Sequence, residues 1–181
     1  MEEAPKPWQE ESIGNVVFNI VEKSDKVKAE VMGLLHEYPD HFVHGLFEQY
    51  AENDFQESDV VVAYDKDEAI GCLMFNRQTN EYTWLAVKKG IPFSKLAIAK
   101  KLFESFYSTI EQGAEVHFFV NTEDVVIPGK PNFSGKNFEP ARRLCRSMGL
   151  EISEENRVEN KYGAGAHAHR VAWVPNKKES S

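Results

Sequence analysis

Apolar residues along the chain change their spacing at points marked by polar and structure-breaking residues. Val16-Val17-Phe18-Asn19-Ile20-Val21 is dense in branched and aromatic side chains and predicts a strand. Ser24 or Asp25 then caps a helix carrying Val27, Val31, Leu34 and Leu35 at helical spacing. Pro39 interrupts it, and Phe42, Val43, Leu46, Phe47 and Tyr50 form a second helical stripe up to about Asn53. Residues 59–64 and 69–75 flank the polar turn Asp65-Lys66-Asp67-Glu68 and read as a hairpin, extended after a second turn by a strand over 81–87. Gly90 and Pro92 break the pattern, and residues 96–110 resume helical periodicity, with Gly113 as the expected C-cap. A strand over 115–121 follows, parallel to the strand before that helix because a strand-helix-strand crossover requires it. A Pro- and Gly-rich loop over 124–135 leads to a short helix opened by Glu139-Pro140-Ala141 and closed by Gly149, and residues 167–174 complete the sheet.

These elements predict an α/β fold, a mixed and mostly antiparallel central sheet flanked by helices. At 181 residues one domain is the natural partition. We place it at 14–175, between a flexible Pro- and Glu-rich start (1–13) and a Lys, Glu and Ser tail (176–181). Nothing resembles a membrane span or a secretion signal, so a cytoplasmic location is expected. The net charge of −8 argues against generic nucleic-acid binding, although Lys88, Lys89, Lys95, Lys100 and Lys101 concentrate positive charge locally. Cys72 and Cys145 are the only cysteines and read as reduced thiols. His36, His41 and His44 match no metal-ligand spacing, so no metal is expected. His167 and His169 share one face of a strand and read as its semi-exposed edge.

Two segments carry a family resemblance. Leu85-Ala86-Val87, a Gly-containing loop and then Ser94-Lys95-Leu96-Ala97-Ile98-Ala99 opening a helix look like the pyrophosphate loop of the GNAT N-acetyltransferase superfamily. That superfamily writes Arg or Gln, two residues, Gly, any residue, then Gly or Ala. Ser94 and Ala97 depart from the pattern and Ala99 keeps it. A loop entering a helix N-terminus offers backbone N–H groups and the positive end of the helix dipole to a diphosphate. The Ala97 methyl takes room that glycine leaves free, and Lys95, Lys88 and Lys89 stand in for the charge absent at Ser94. The second segment, Ala141 to Leu150, resembles the superfamily's late helix, with Cys145 where a Tyr often protonates the departing CoA thiolate. A thiol is the weaker donor, and Cys145 reads as a small core residue.

The resemblance, over residues 15–174, implies the GNAT fold and acetyl-CoA as co-substrate. It puts Leu85, Ala86, Val87, Ser94, Lys95, Leu96, Ala97, Ile98, Ala99 and Asn121 at the cofactor. It also implies a primary amine of a small molecule or protein as acceptor, and leaves a homodimer open. Glu81, four residues before Leu85, has the offset of the general base in protein-acetylating members. A partly buried carboxylate can take the ammonium proton that must leave before attack. Phe133 and Phe138, in or beside the long loop, are candidates for an acceptor pocket. The altered loop and missing Tyr equally suit a domain that keeps the fold as a binding or structural module.

Overall fold

The computed structural model describes residues 13–38, 47–120, 138–161 and 167–177. Its elements are β1 (Val17–Val21), α1 (Asp25–Leu35), α2 (Phe47–Glu57), β2 (Asp59–Asp65), β3 (Glu68–Asn76), β4 (Glu81–Val87), α3 (Lys95–Glu104), β5 (Val116–Val120), α4 (Phe138–Ser147), β6 (Arg157–Val158) and β7 (Ala168–Trp173). The strands form one sheet in the order β1-β2-β3-β4-β5-β7-β6. Every pairing is antiparallel except β4 with β5, where the α3 crossover imposes the parallel arrangement expected from sequence.

Alternation along the strands divides the interior into two cores. Val61, Ala63, Leu73, Phe75, Tyr82, Val87, Phe118 and Val171 pack with Leu102, Phe103 and Phe106, and with Leu144 and Cys145 of α4. Val60, Val62, Cys72, Met74 and Ala86 pack with Val27, Val31, Leu34 and Leu35 of α1 and with Ala51 and Phe55 of α2. Gly71 lets α3 close on the sheet. A Cβ there would meet Ile98 Cγ2 at 3.1 Å and Leu102 Cδ1 at 3.3 Å.

Some boundaries differ from the sequence expectation. α2 runs four residues past Asn53, to Glu57. The helix expected over 96–110 ends at Glu104, where the Ser105 hydroxyl donates to the Lys101 carbonyl (2.7 Å) and a 3₁₀ turn over Tyr107–Thr109 follows. The apolar stripe through Phe106 and Ile110 continues because both helix types bring residues three or four apart to one side. Gly113 therefore caps no α-helix. It takes φ +85° in the next turn and donates its N–H to the Asn176 carbonyl at 2.7 Å. Asn176 also donates from its side chain to the carbonyls of Tyr107 and Ile110, so the ordered frame reaches beyond residue 175. At the other end Ile13 is already buried in the first core. β6, two residues long, is too short to leave a periodic signal.

Candidate active site

The site forms where the sheet changes from antiparallel to parallel. β4 and β5 pair through only two positions, Glu81 with His117 and Tyr82 with Phe118, although both strands run on. On its other side β4 follows β3, with Met74 of β3 opposite both Thr83 and Trp84. A bulge of this kind bends the strand and increases its twist. Among the described residues the β5-facing edge of β4 has no ladder partner from Thr83 onward, so backbone groups of Leu85 and Val87 face a cleft there, while Ala86 bonds back to β3. Tyr82 holds the junction closed below it. Its ring stacks on Trp173 (5.7 Å between centroids, 7° between planes), and its hydroxyl donates to the Phe103 carbonyl at 3.2 Å.

Glu81 and His117 form the paired rung at the closed end of this cleft. His117 Nε2 lies 3.5 Å from Glu81 Oε1, and their side chains are 15% and 25% exposed. Burial raises the Glu81 carboxyl above the ordinary carboxylate range, the Asp54 charge adding to it and Lys161 and Arg170 opposing it. His117 is pushed the other way, below the ordinary imidazole value, by burial first and then by the Arg170 charge. A depressed imidazole is neutral at pH 7, so the contact is that of a carboxylate beside a neutral base rather than an ion pair. The two shifts bring the proton affinities of the pair toward each other. The geometry permits proton exchange directly or through one water.

Other groups frame the pair. Trp84 Nε1 donates to Asp54 Oδ2 at 2.7 Å, tying α2 to the bulge, and burial raises the Asp54 carboxyl. Lys161 lies 4.3 Å above the Phe119 ring, and Arg170 pairs with Glu115 at 3.0 Å. The Thr83 Oγ1 is buried and makes no hydrogen bond among the described residues.

At the far end of β4 the residues expected at the cofactor divide by direction. The side chains of Ala86, Val87, Ala97, Ile98 and Ala99 are buried in the two cores, and Leu85 and Leu96 pack partly against the first. Only their backbone is left to meet a ligand. The Ala97 methyl, expected to crowd a diphosphate, is in the core. Ser94 caps α3, its Oγ accepting from Ala97 N at 3.2 Å, and the first helical bond is Ile98 N to Ser94 O. Lys95 and Leu96 retain first-turn N–H groups without a helical acceptor. Of the nearby lysines, Lys88 is engaged with Glu68 at 2.7 Å, and Lys95 is exposed. The donors present, backbone N–H groups and lysine ammoniums, fit the phosphates of coenzyme A.

Cys145 is fully buried, and burial pushes its thiol up to about 11. It is a core residue, and its raised value makes it a weaker acid than a free thiol. Asn121, Phe133, His41 and His44 lie outside the described residues, as does the side chain of Phe138. His36 lies 3.6 Å from Glu48. His169 is buried rather than at a semi-exposed edge, because it faces the first core between β5 and β6. No helix among the described residues is long and apolar enough to cross a membrane.

His117, Asp54, Trp84 and Tyr38 are absent from the sequence-based list. A signal existed for His117, since Val116, Phe118 and Val120 alternate into the core and turn it to the opposite face. Its register with Glu81 was not readable from one chain.

No family model and no curated protein matches the sequence. Solved structures do. The chain is similar to aminoglycoside 6′-acetyltransferase type Ii (TM-score 0.63, 14% identity, 90% of this chain and 99% of that one). It is also similar to an aminoglycoside 6′-N-acetyltransferase complexed with coenzyme A (0.59, 16%, 91% and 99%). A third likeness is to Arabidopsis thaliana Naa50 in complex with the bisubstrate analogue CoA-Ac-MVNAL (0.58, 16%, 88% and 98%). Identities this low establish a shared architecture, and that architecture is the GNAT acetyltransferase fold.

Proposed function

We propose that the protein transfers an acetyl group from acetyl-CoA to a primary amine, with Glu81 and His117 receiving the proton the amine must lose. The observation that carries this reading is the two-pair β4–β5 ladder, because it sets a carboxylate–imidazole pair at the closed end of a cleft walled by unpaired backbone. Acetyl-CoA supplies an activated thioester. The chain supplies position and proton transfer. In this reading the free edge at Leu85–Val87 aligns the pantetheine arm, and the start of α3 meets the diphosphate. Glu81, ionised beside a neutral His117, takes a proton from the acceptor ammonium. The amine then attacks the thioester carbonyl, its nitrogen sheds a second proton to solvent as the carbon–sulfur bond breaks, and CoA leaves as a thiolate to be protonated from solvent. Acetyl-CoA and amine balance to N-acetyl amine and CoA-SH.

The fold shared with acetyltransferases that act on aminoglycosides or carry a peptide-bearing analogue supports an amine acceptor, small or proteinaceous. An enzyme of this kind works where acetyl-CoA is held, and we place it in the cytoplasm. A second reading, a non-catalytic module on the same fold, draws on the Ser94 cap, which takes the Ala97 N–H from any diphosphate. Calorimetric titration with acetyl-CoA, followed by thiol-release assays over an amine panel, separates the two. Binding with amine-dependent thiol release supports the enzyme. Absence of both over the whole panel leaves the module.

A further inference from the structure

A lysine stands where an acceptor amine belongs. β5 pairs with β4 only through His117 and Phe118, so Phe119 is the first β5 residue past the last rung and lines the β5 side of the cleft. Alternation along β5 puts Phe119 on the face of the sheet that carries His117, opposite the core-facing Phe118 and Val120, and the two rings lie 5.4 Å apart at 82°. Lys161 Nζ lies 4.3 Å from the Phe119 ring centroid. Ammonium, phenyl ring, imidazole and the Glu81 carboxylate thus follow one another around the closed end of the cleft. Burial raises Glu81 and Asp54 and lowers His117, and the Lys161 charge acts on all three, opposing the first two shifts and adding to the third.

The backbone beside Lys161 is held, and its side chain is not. It lies in the turn after β6, where Asn160 takes φ +55° and donates its N–H to His167 Nδ1 at 3.0 Å. The side chain is exposed and makes no ion pair among the described residues, and contact with a phenylalanine face is too weak to keep an exposed ammonium in one place. We propose that Lys161 is a site of self-acetylation, its own Nζ taking the acetyl group from acetyl-CoA bound in the cleft. The inference rests on the acetyl-CoA reading above and goes beyond it by naming an acceptor within the chain. Glu81, directly or through His117, takes one proton from the Lys161 ammonium. The neutral nitrogen attacks the thioester carbonyl, and a carbon–nitrogen bond forms as the carbon–sulfur bond breaks. The nitrogen gives a second proton to solvent, and CoA leaves as a thiolate that solvent protonates. Lysine and acetyl-CoA balance to Nε-acetyl-lysine and CoA-SH. An amine tethered at the site reacts as at a high effective concentration, which sets Lys161 apart from the exposed lysines elsewhere.

The test is a time course of the intact protein with acetyl-CoA and no added amine, followed by whole-protein mass and peptide mapping. Lys161 is expected to gain one acetyl group at least about tenfold faster than Lys66, an exposed lysine in the β2–β3 turn, at a rate per molecule that does not change with protein concentration. Glu81→Gln is expected to slow the reaction at Lys161 about 100-fold and to leave Lys66 as it was. Lys161→Arg, which keeps the charge, is expected to lose the fast modification. Acetylation of Lys161 no faster than of Lys66, or equally fast in the Gln variant, would overturn the proposal as plain chemical acetylation. A rate that rises with protein concentration would overturn it in favour of transfer between chains. If the parent protein acetylates an added amine while Lys161 stays unmodified, self-acetylation falls and the acetyl-CoA reading stands. Absence of thiol release with Lys161 and with the whole amine panel would overturn both.

Discussion

The two ends of β4 differ more than any other pair of neighbouring places in the sheet. At Glu81 the strand is paired on both sides, and its ionisable side chain is half-buried beside His117. Six residues on, at Val87, it is paired with β3 alone, its side chain is in the core, and only a carbonyl bound by Tyr38 and a cluster of lysines face outward. In the proposed function the first end moves a proton and the second holds a polyanion. One strand therefore separates rate from affinity along its length, and substitutions at the two ends should separate them too.

The largest effect belongs to the first end. Glu81→Gln keeps the shape and removes the proton acceptor, so kcat should fall by about 100-fold to 10,000-fold while acetyl-CoA affinity stays at the parental value. Thiol-release kinetics and calorimetry on one preparation decide it, and equal rates would return Glu81 to a purely structural role. The fold should not suffer. Folding favours the protonated form of a carboxyl whose value is raised, so that contribution is present at low pH and lost as pH rises through the folded value. At neutral pH the Gln variant should melt at or above the parental temperature.

A shift of profile should follow at the same end. With Glu81 raised, the acid limb of kcat belongs above the ordinary carboxylate value of about 4.3. His117→Gln should move that limb downward, toward the carboxylate alone. An unmoved limb in that variant would remove His117 from proton transfer. The sign for stability is opposite to that of Glu81. A depressed histidine contributes above its unfolded value, and the contribution is lost as pH falls through the folded value.

Smaller effects belong to the second end. Ser94→Ala removes the α3 cap and should cost about 1 kcal/mol of stability by denaturant titration. It also releases the Ala97 N–H, so CoA affinity should hold or improve. A loss of affinity would make the Ser94 hydroxyl part of the phosphate site. The smallest effect on turnover is at Gly71. The methyl of Gly71→Ala meets Ile98 and Leu102 and should cost about 1–3 kcal/mol by displacing α3, with kcat for bound substrates little altered.

How much of this was legible follows the same division. The β4 segment carries its signal locally, in Glu81-Tyr82-Thr83-Trp84-Leu85-Ala86-Val87, so its bounds could be read from the pattern, while the candidate base came from the family resemblance. Ser94 was legible as a departure from a motif. Its role as a cap was not, because the motif fixes attention on the ligand and the hydroxyl answers to the helix. His117 and Tyr38 were missed because 36 residues separate one from Glu81 and 49 the other from Val87, and only the folded chain brings them together. The early end of α3 was hidden for a different reason. A 3₁₀ turn preserves the apolar stripe that marks a helix, so Phe106 and Ile110 stayed in phase after the hydrogen bonding had changed.

The two-pair junction also has a mechanical meaning. β1 to β4 form one laminate and β5 to β7 another, and the seam between them carries two rungs, as few as the short β6 edge. A sheet loaded across its strands parts along such a line, as cloth tears from a notch. Tyr82 is the stitch at the base of that notch, since its ring lies flat on Trp173 of the far laminate while its hydroxyl is sewn to the helix behind. In the proposed function the opening that admits acetyl-CoA is a tear begun at that notch, and Tyr82 is where it stops.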